Sequence, residues 1–159
     1  MVENILIPLD GSLLAEQVLS HVKAIVECRG ARVHVLSVAP VIDNTTASLM
    51  LYPLYVSREQ LADEEAERKR IETELTSYLK GIARDLEQAG AEVICIVRFG
   101  APADEILTYA AENKIGLIAM CTHGRSGLAR WAYGSVADRV LRASSCPVLL
   151  VRAKHLPAR

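Results

Sequence analysis

Ile115-Gly116-Leu117-Ile118-Ala119-Met120-Cys121-Thr122-His123-Gly124-Arg125-Ser126-Gly127 is the stretch that decides the architecture: an apolar run of strand length stops at a polar, glycine-bearing loop. A second pair, Gly134-Ser135, opens a helical pattern, and Pro147-Val148-Leu149-Leu150-Val151 follows as a last apolar run. Where a strand gives way to a helix, unbonded backbone N–H groups and the positive end of the helix dipole face the same point. Glycine there lets an anion approach the main chain. The stretch therefore reads as an anion site at the carboxyl edge of a parallel sheet.

The rest of the chain reads as the builder of that sheet. Ile5-Leu6-Ile7-Pro8-Leu9 is a short buried strand ended by Asp10-Gly11-Ser12, and Ala15, Val18, Leu19, Val22, Ile25 and Val26 then recur at helical spacing. Gly30 closes that helix, and Arg32 to Val38 gives a second strand. This β-α-β order favours a right-handed crossover and parallel pairing. From Ala39 to Ser57 no period is visible, and so long a connection reads as a lid over the site or as a partner-facing or simply flexible insertion.

A long helix is predicted from about Arg58 to Ala89. Its first half is a solvated, mixed-charge face, and its second half carries a stripe at Ile71, Leu75, Tyr78, Leu79, Ile82 and Leu86 for docking on the sheet. Gly90 ends it, and Ala91 to Val97 forms the third strand. Gly100-Ala101-Pro102 starts the next helix, with Pro near its first position, Asp104 and Glu105 in its first turn, and Ile106, Leu107 and Ala110 inward. Leu117 to Met120 and Val148 to Val151 are the fourth and fifth strands, with a helix from Ser135 between them. Five strands and four helices alternate without repeat or linker, so residues 1–159 read as one α/β domain.

Composition narrows the function. A formal charge of −1 gives no electrostatic case for nucleic acid or an anionic membrane as the main partner. Cys28, Cys95, Cys121 and Cys146 lie far apart, which signals neither a zinc site nor a disulfide framework and fits free thiols in a reducing cytoplasm. Met1-Val2-Glu3-Asn4 does not read as a signal peptide, and no apolar run reaches membrane-spanning length.

Three motifs in order carry a resemblance: Ile5 to Ser12, then Thr122 to Gly127 with Gly134-Ser135-Val136-Ala137, and finally Ser145 to Val151. They resemble the universal stress protein family over nearly the whole chain. The resemblance implies a Rossmann-like open sheet of the adenine nucleotide alpha hydrolase-like type, strand order 3-2-1-4-5. It also implies a homodimer through the last strand, Val148 to Arg152. Its ATP-binding branch carries a glycine, two residues, a second glycine, nine residues and Gly-Ser or Gly-Thr. Gly124 matches the second glycine, Arg125 to Tyr133 the nine residues, and Gly134-Ser135 the closing pair; the first glycine position holds Cys121.

By resemblance, Pro8 and Val38 border the adenine, Asp10 meets the ribose or makes an indirect contact with Mg, and Met120 and His123 line the phosphate loop. Gly124, Gly134, Ser135 and Val136 are the phosphate contacts. Local alternatives stand beside these roles. Asp10 also suits a turn or helix cap, and His123 suits a surface or hydrogen-bonded structural residue. Ser135 to Asp138 also forms a capping box, with Arg125 and Arg130 supplying positive charge nearby. The leading expectation is a cytoplasmic, dimeric, ATP-binding stress sensor or regulator with an unidentified protein partner. No general base or Walker-type lysine stands in the loop, so ATP hydrolysis is expected to be slow at most. The alternative is a family member that binds no nucleotide and works as an interaction module, with Cys121 as its sign. A nucleotide-fold enzyme ranks last.

Overall fold

Ile5, Leu6 and Ile7 are all fully buried, so both faces of the first strand are covered; an unbroken apolar run, not an alternating one, is what such a strand needs. The computed structural model describes residues 3–29, 31–41, 58–122 and 134–153, apart from the side chains of 29 and 58–62. In chain order the elements are β1 (Asn4–Pro8), α1 (Leu13–Glu16), α2 (Val18–Arg29), β2 (Arg32–Ala39), α3 (Arg58–Gln88), β3 (Glu92–Phe99), α4 (Pro102–Glu112), β4 (Leu117–Cys121), α5 (Ser135–Ala143) and β5 (Val148–Val151). Of the stretch Ala39 to Ser57, read from the sequence as lid or insertion, Ala39 instead ends β2 and residues 42–57 lie outside the described residues, as does Gly30, the residue expected to close the first helix.

The strands pair in parallel throughout, in the order β3-β2-β1-β4-β5. This is the expected α/β architecture. The expected first helix is broken in two at Gln17, whose N–H turns back to Leu14 O at 3.3 Å before Val18 restarts the helix. Counting that pair as one connection, four helical segments alternate with the five strands among the described residues.

The sheet separates two apolar layers. Ile5, Ile7, Val33, Val35, Ala119 and Cys121 face α1, α2 and α3, while Leu6, Leu36, Ile118 and Met120 face α4 and α5. On α3 the predicted stripe narrows to Leu79 and Leu86, which are buried, with Tyr78 and Ile82 half-buried beside them; Ala83, outside the predicted stripe, is buried as well. Thirty-one residues of α-helix span about 46 Å, whereas the eight of β3 span about 26 Å. The helix therefore outruns the sheet, and its charged first half carries exposed pairs such as Arg70 with Glu74 at 3.0 Å. Gly90 stops it in the left-handed region, φ 92°, with Ala91 N–H reaching Leu86 O at 3.1 Å.

Gly100 shapes the turn from β3 into α4. Its φ is 155°, and a Cβ there would stand 2.7 Å from Glu105 Oε1. The carboxylate it would displace also accepts from Arg98 at 3.4 Å. Gly100→Ala is therefore expected to lower stability by about 1–3 kcal/mol; an unchanged urea midpoint would contradict this account of the turn.

Candidate functional site

Strand connections run outward in one direction from β1 and in the other from β4, so the crevice between those two strands is the point where the order reverses. A cavity of about 320 Å³ opens there, at the carboxyl ends of the strands. Leu36, Val38, Pro102 and Ile106 form its apolar wall, and Asp10, Thr122, Gly134 and Ser135 lie on its lining as well.

Local hydrogen bonds hold the rim. Leu9 N–H donates to Leu36 O at 2.8 Å, and the buried Ser37 hydroxyl donates to Leu9 O at 2.8 Å. The exit of β1 is thus tied to β2, which fixes where Asp10 emerges. Asp10 Oδ1 accepts from Ser12 N–H at 3.0 Å, Gly11 takes φ 76°, and Ser12 Oγ accepts from Ala15 N–H at 3.1 Å. The α1 cap is therefore Ser12, while Asp10 makes the preceding Asx turn.

Across the crevice, Gly134 N–H donates to Thr122 O at 2.9 Å and Thr122 N–H to Val151 O at 3.0 Å. These bonds bring the start of α5 against the end of β4. The capping box expected at Ser135 does not form. Gly134 is the cap residue, Ser135 occupies the first helical position, and Asp138 instead accepts from Arg142 at 3.0 Å. With Gly134 as the cap, Asp138 stands one position too far along to close the box, and the first N–H groups of α5 are left at the cavity.

Cys121 is an ordinary strand residue. It pairs with Val151 in the β4–β5 register, its side chain is buried, and burial pushes its thiol pKa up, opposed by a backbone hydrogen bond from Val18 and reinforced by Asp10. Extended backbone places no demand for glycine there, and a raised thiol pKa does not suit a redox-reactive cysteine.

The structure thus gathers Pro8, Asp10, Val38, Met120, Gly134, Ser135 and Val136 around one cavity. His123 and Gly124, together with Arg125 and Arg130, lie outside the described residues. Sequence reasoning missed Leu36, Pro102, Ile106 and Thr122 as lining residues. Leu36 was legible in principle, being two positions before Val38 and so on the same strand face. Asp10 is the one charged side chain on the cavity lining among the described residues. Those residues bring together no group of three or more His, Cys, Asp or Glu able to hold a metal ion, and contain no helix long and apolar enough to cross a membrane.

The chain is similar to several known proteins. Universal stress protein MJ0577 of Methanocaldococcus jannaschii is 30% identical over 158 residues, 98% of each chain. Its solved structure superposes with a TM-score of 0.81 over 98% of this chain and 99% of that one. Universal stress protein YxiE of Bacillus subtilis is 32% identical over 152 residues, 96% of this chain and 100% of its own. A universal stress protein solved in complex with cAMP shares the fold at 19% identity, with a TM-score of 0.66 over 96% of this chain and 98% of that chain. With the universal stress protein family matched over residues 1–152, this chain belongs to that family.

Proposed function

We propose that the chain, as one cytoplasmic domain, binds an adenine nucleotide, ATP foremost, and acts as a dimeric stress-response regulator. The observation that carries this is an apolar cavity at the sheet's reversal point that meets the amino end of α5. About 300 Å³ is the lower end of the size range for small-molecule pockets, which suits a base with its ribose. Val38 and Pro8 take the base in this reading, and Asp10 takes the ribose or the shell of a phosphate-bound Mg. The N–H groups of Gly134, Ser135 and Val136 then take phosphate together with the loop carrying His123 and Gly124.

Asp10 already accepts from Ser12 and is the one acid on the cavity lining among the described residues, with no lysine beside it. That supports slow ATP hydrolysis at most. β5 is an edge strand with four half-buried apolar residues, which supports self-pairing through Val148 to Arg152.

Calorimetry with ATP, AMP and GTP tests the nucleotide reading. Heat of binding is expected with ATP and AMP, and no response to ATP at millimolar concentration would overturn it. Cys121 in place of the family's glycine favours the second reading, an interaction module without nucleotide. Its extended backbone weakens that reading, and Cys121→Gly separates the two: binding present in the parent and kept or strengthened in the variant supports nucleotide recognition.

A further inference from the structure

Among the described residues, His34 is the one with a buried side-chain polar atom left without a hydrogen bond. It is 4% exposed, on the β2 face that meets α4, and its Nδ1 lies 2.8 Å from the hydroxyl of Tyr109, itself 6% exposed. The two rings meet edge to face at 5.7 Å between centroids. His34 Nε2 is buried with no hydrogen-bond partner among the described residues. A neutral imidazole tolerates this, with one nitrogen satisfied by the tyrosine. An imidazolium must donate from both nitrogens, and Nε2 has nothing to receive its proton.

Among the described residues, none supplies a counter-charge in contact. β2 itself brings Arg32, which opposes a second positive charge, and β3 brings Glu92, whose carboxylate is taken by Arg32 at 2.9 Å. Arg98, also on β3, lies over the Tyr109 ring, 4.9 Å from its centroid, and occupies Glu105 and Glu112 of α4. β1 has no ionisable side chain between Asn4 and Pro8. The charged side chains of α5 pair as Arg139 with Asp104 and Arg142 with Asp138. Burial first, and Arg32 second, hold the imidazole below its ordinary range.

What makes the pair more than a structural oddity is its place. Leu36 is two residues beyond His34 on the same strand face, and Ile106 is one turn before Tyr109 on the same helix face; both line the cavity. Val38 and Pro102 extend the same two elements along that wall. The hydrogen bond therefore clasps together the strand and the helix that form the cavity's apolar side.

We propose that the His34–Tyr109 pair is an acid-sensitive clasp on the nucleotide cavity, protonation of His34 loosening α4 from β2 and weakening nucleotide binding. This rests on the nucleotide reading of the cavity. The sign follows from proton counting. The loosened form exposes the imidazole and binds more protons, so falling pH favours it, and the clasped form is fully favoured above the ordinary imidazole range.

Two measurements test the clasp. The first is the ATP dissociation constant at about pH 7.5 and about pH 5.5, on either side of the free imidazole range, for the parent and for His34→Gln. Titration of the ATP phosphates is common to both proteins, so the difference between them isolates His34. Acidification is expected to weaken binding by the parent about fivefold or more relative to its effect on His34→Gln, the low end of ordinary coupling between sites. Equal pH dependence in the two would overturn the proposal.

The second is amide hydrogen exchange of the ligand-free parent across the same pH range, with α2 as internal reference. Protection of α4 is expected to fall relative to α2 on acidification, and an unchanged ratio would overturn the clasp. This second measurement needs neither a variant that folds nor a bound nucleotide. If ATP fails to bind at any pH, the nucleotide reading falls while exchange in α4 still decides the clasp.

Discussion

Tryptophan in place of Val38 is expected to weaken ATP binding at least about hundredfold, or about 2.7 kcal/mol, with the folded structure retained. Val38 is half-buried on β2 and lines the cavity, whose volume is about 320 Å³. An indole projecting from that position occupies the apolar space that a purine would need. Overpacking a site costs about 1–3 kcal/mol when the extra atoms meet a filled core, but here they enter open volume, so most of the effect falls on binding. Calorimetry reads the affinity, and circular dichroism checks that the variant folds. ATP binding at parental affinity would show that the nucleotide site lies elsewhere.

Leu79→Ala is expected to have the largest effect on stability, about 2–5 kcal/mol. Leu79 is fully buried where α3 docks, within the cluster that also holds Ile7, Val33 and Val35. The helix cannot easily settle into the space left. Ala83 and Leu86 are buried one and two turns further on, and Tyr78 donates to Glu16 at 2.9 Å from the adjacent position. In a chain of this size the loss corresponds to a fall in Tm of roughly 4–20 °C. Ile71→Ala, on the half-exposed part of the same stripe, should cost about 1 kcal/mol or less. Equal losses in the two variants would refute the division of α3 into a docked and an overhanging half.

Those two positions show what the chain discloses about itself. The strands were legible because β1, β4 and β5 are apolar runs bounded by Pro, Gly and polar residues. The end of α3 was legible because Gly90 supplies a φ that other residues avoid. Strand order was a different matter. Periodicity tells which residues form strands but not which strands are neighbours, so the reversal point came from resemblance to a family. The break at Gln17 left no trace, since Ala15, Val18 and Val22 keep helical spacing across it.

At the site, Asp10 and Gly134 were accessible through motifs and Val38 only through the family resemblance, whereas Ile106 and Pro102 were read as helix positions with no link to the cavity. Their role exists only once α4 is laid beside β2. Ser135 was open to two readings, phosphate contact and cap, and the cap falls one residue earlier because Gly134 takes ψ 149°, which a polar pattern does not encode. The His34–Tyr109 contact, 75 positions apart, had no local signal at all.

The hydrogen bond from Gly134 to Thr122 is made by main-chain atoms alone, between residues twelve positions apart in sequence. The amino end of α5 therefore keeps its place at the end of β4 whatever side chains stand at those two positions. Any residue that keeps the 134 N–H keeps the fastening, and only proline, which has no N–H to donate, removes it.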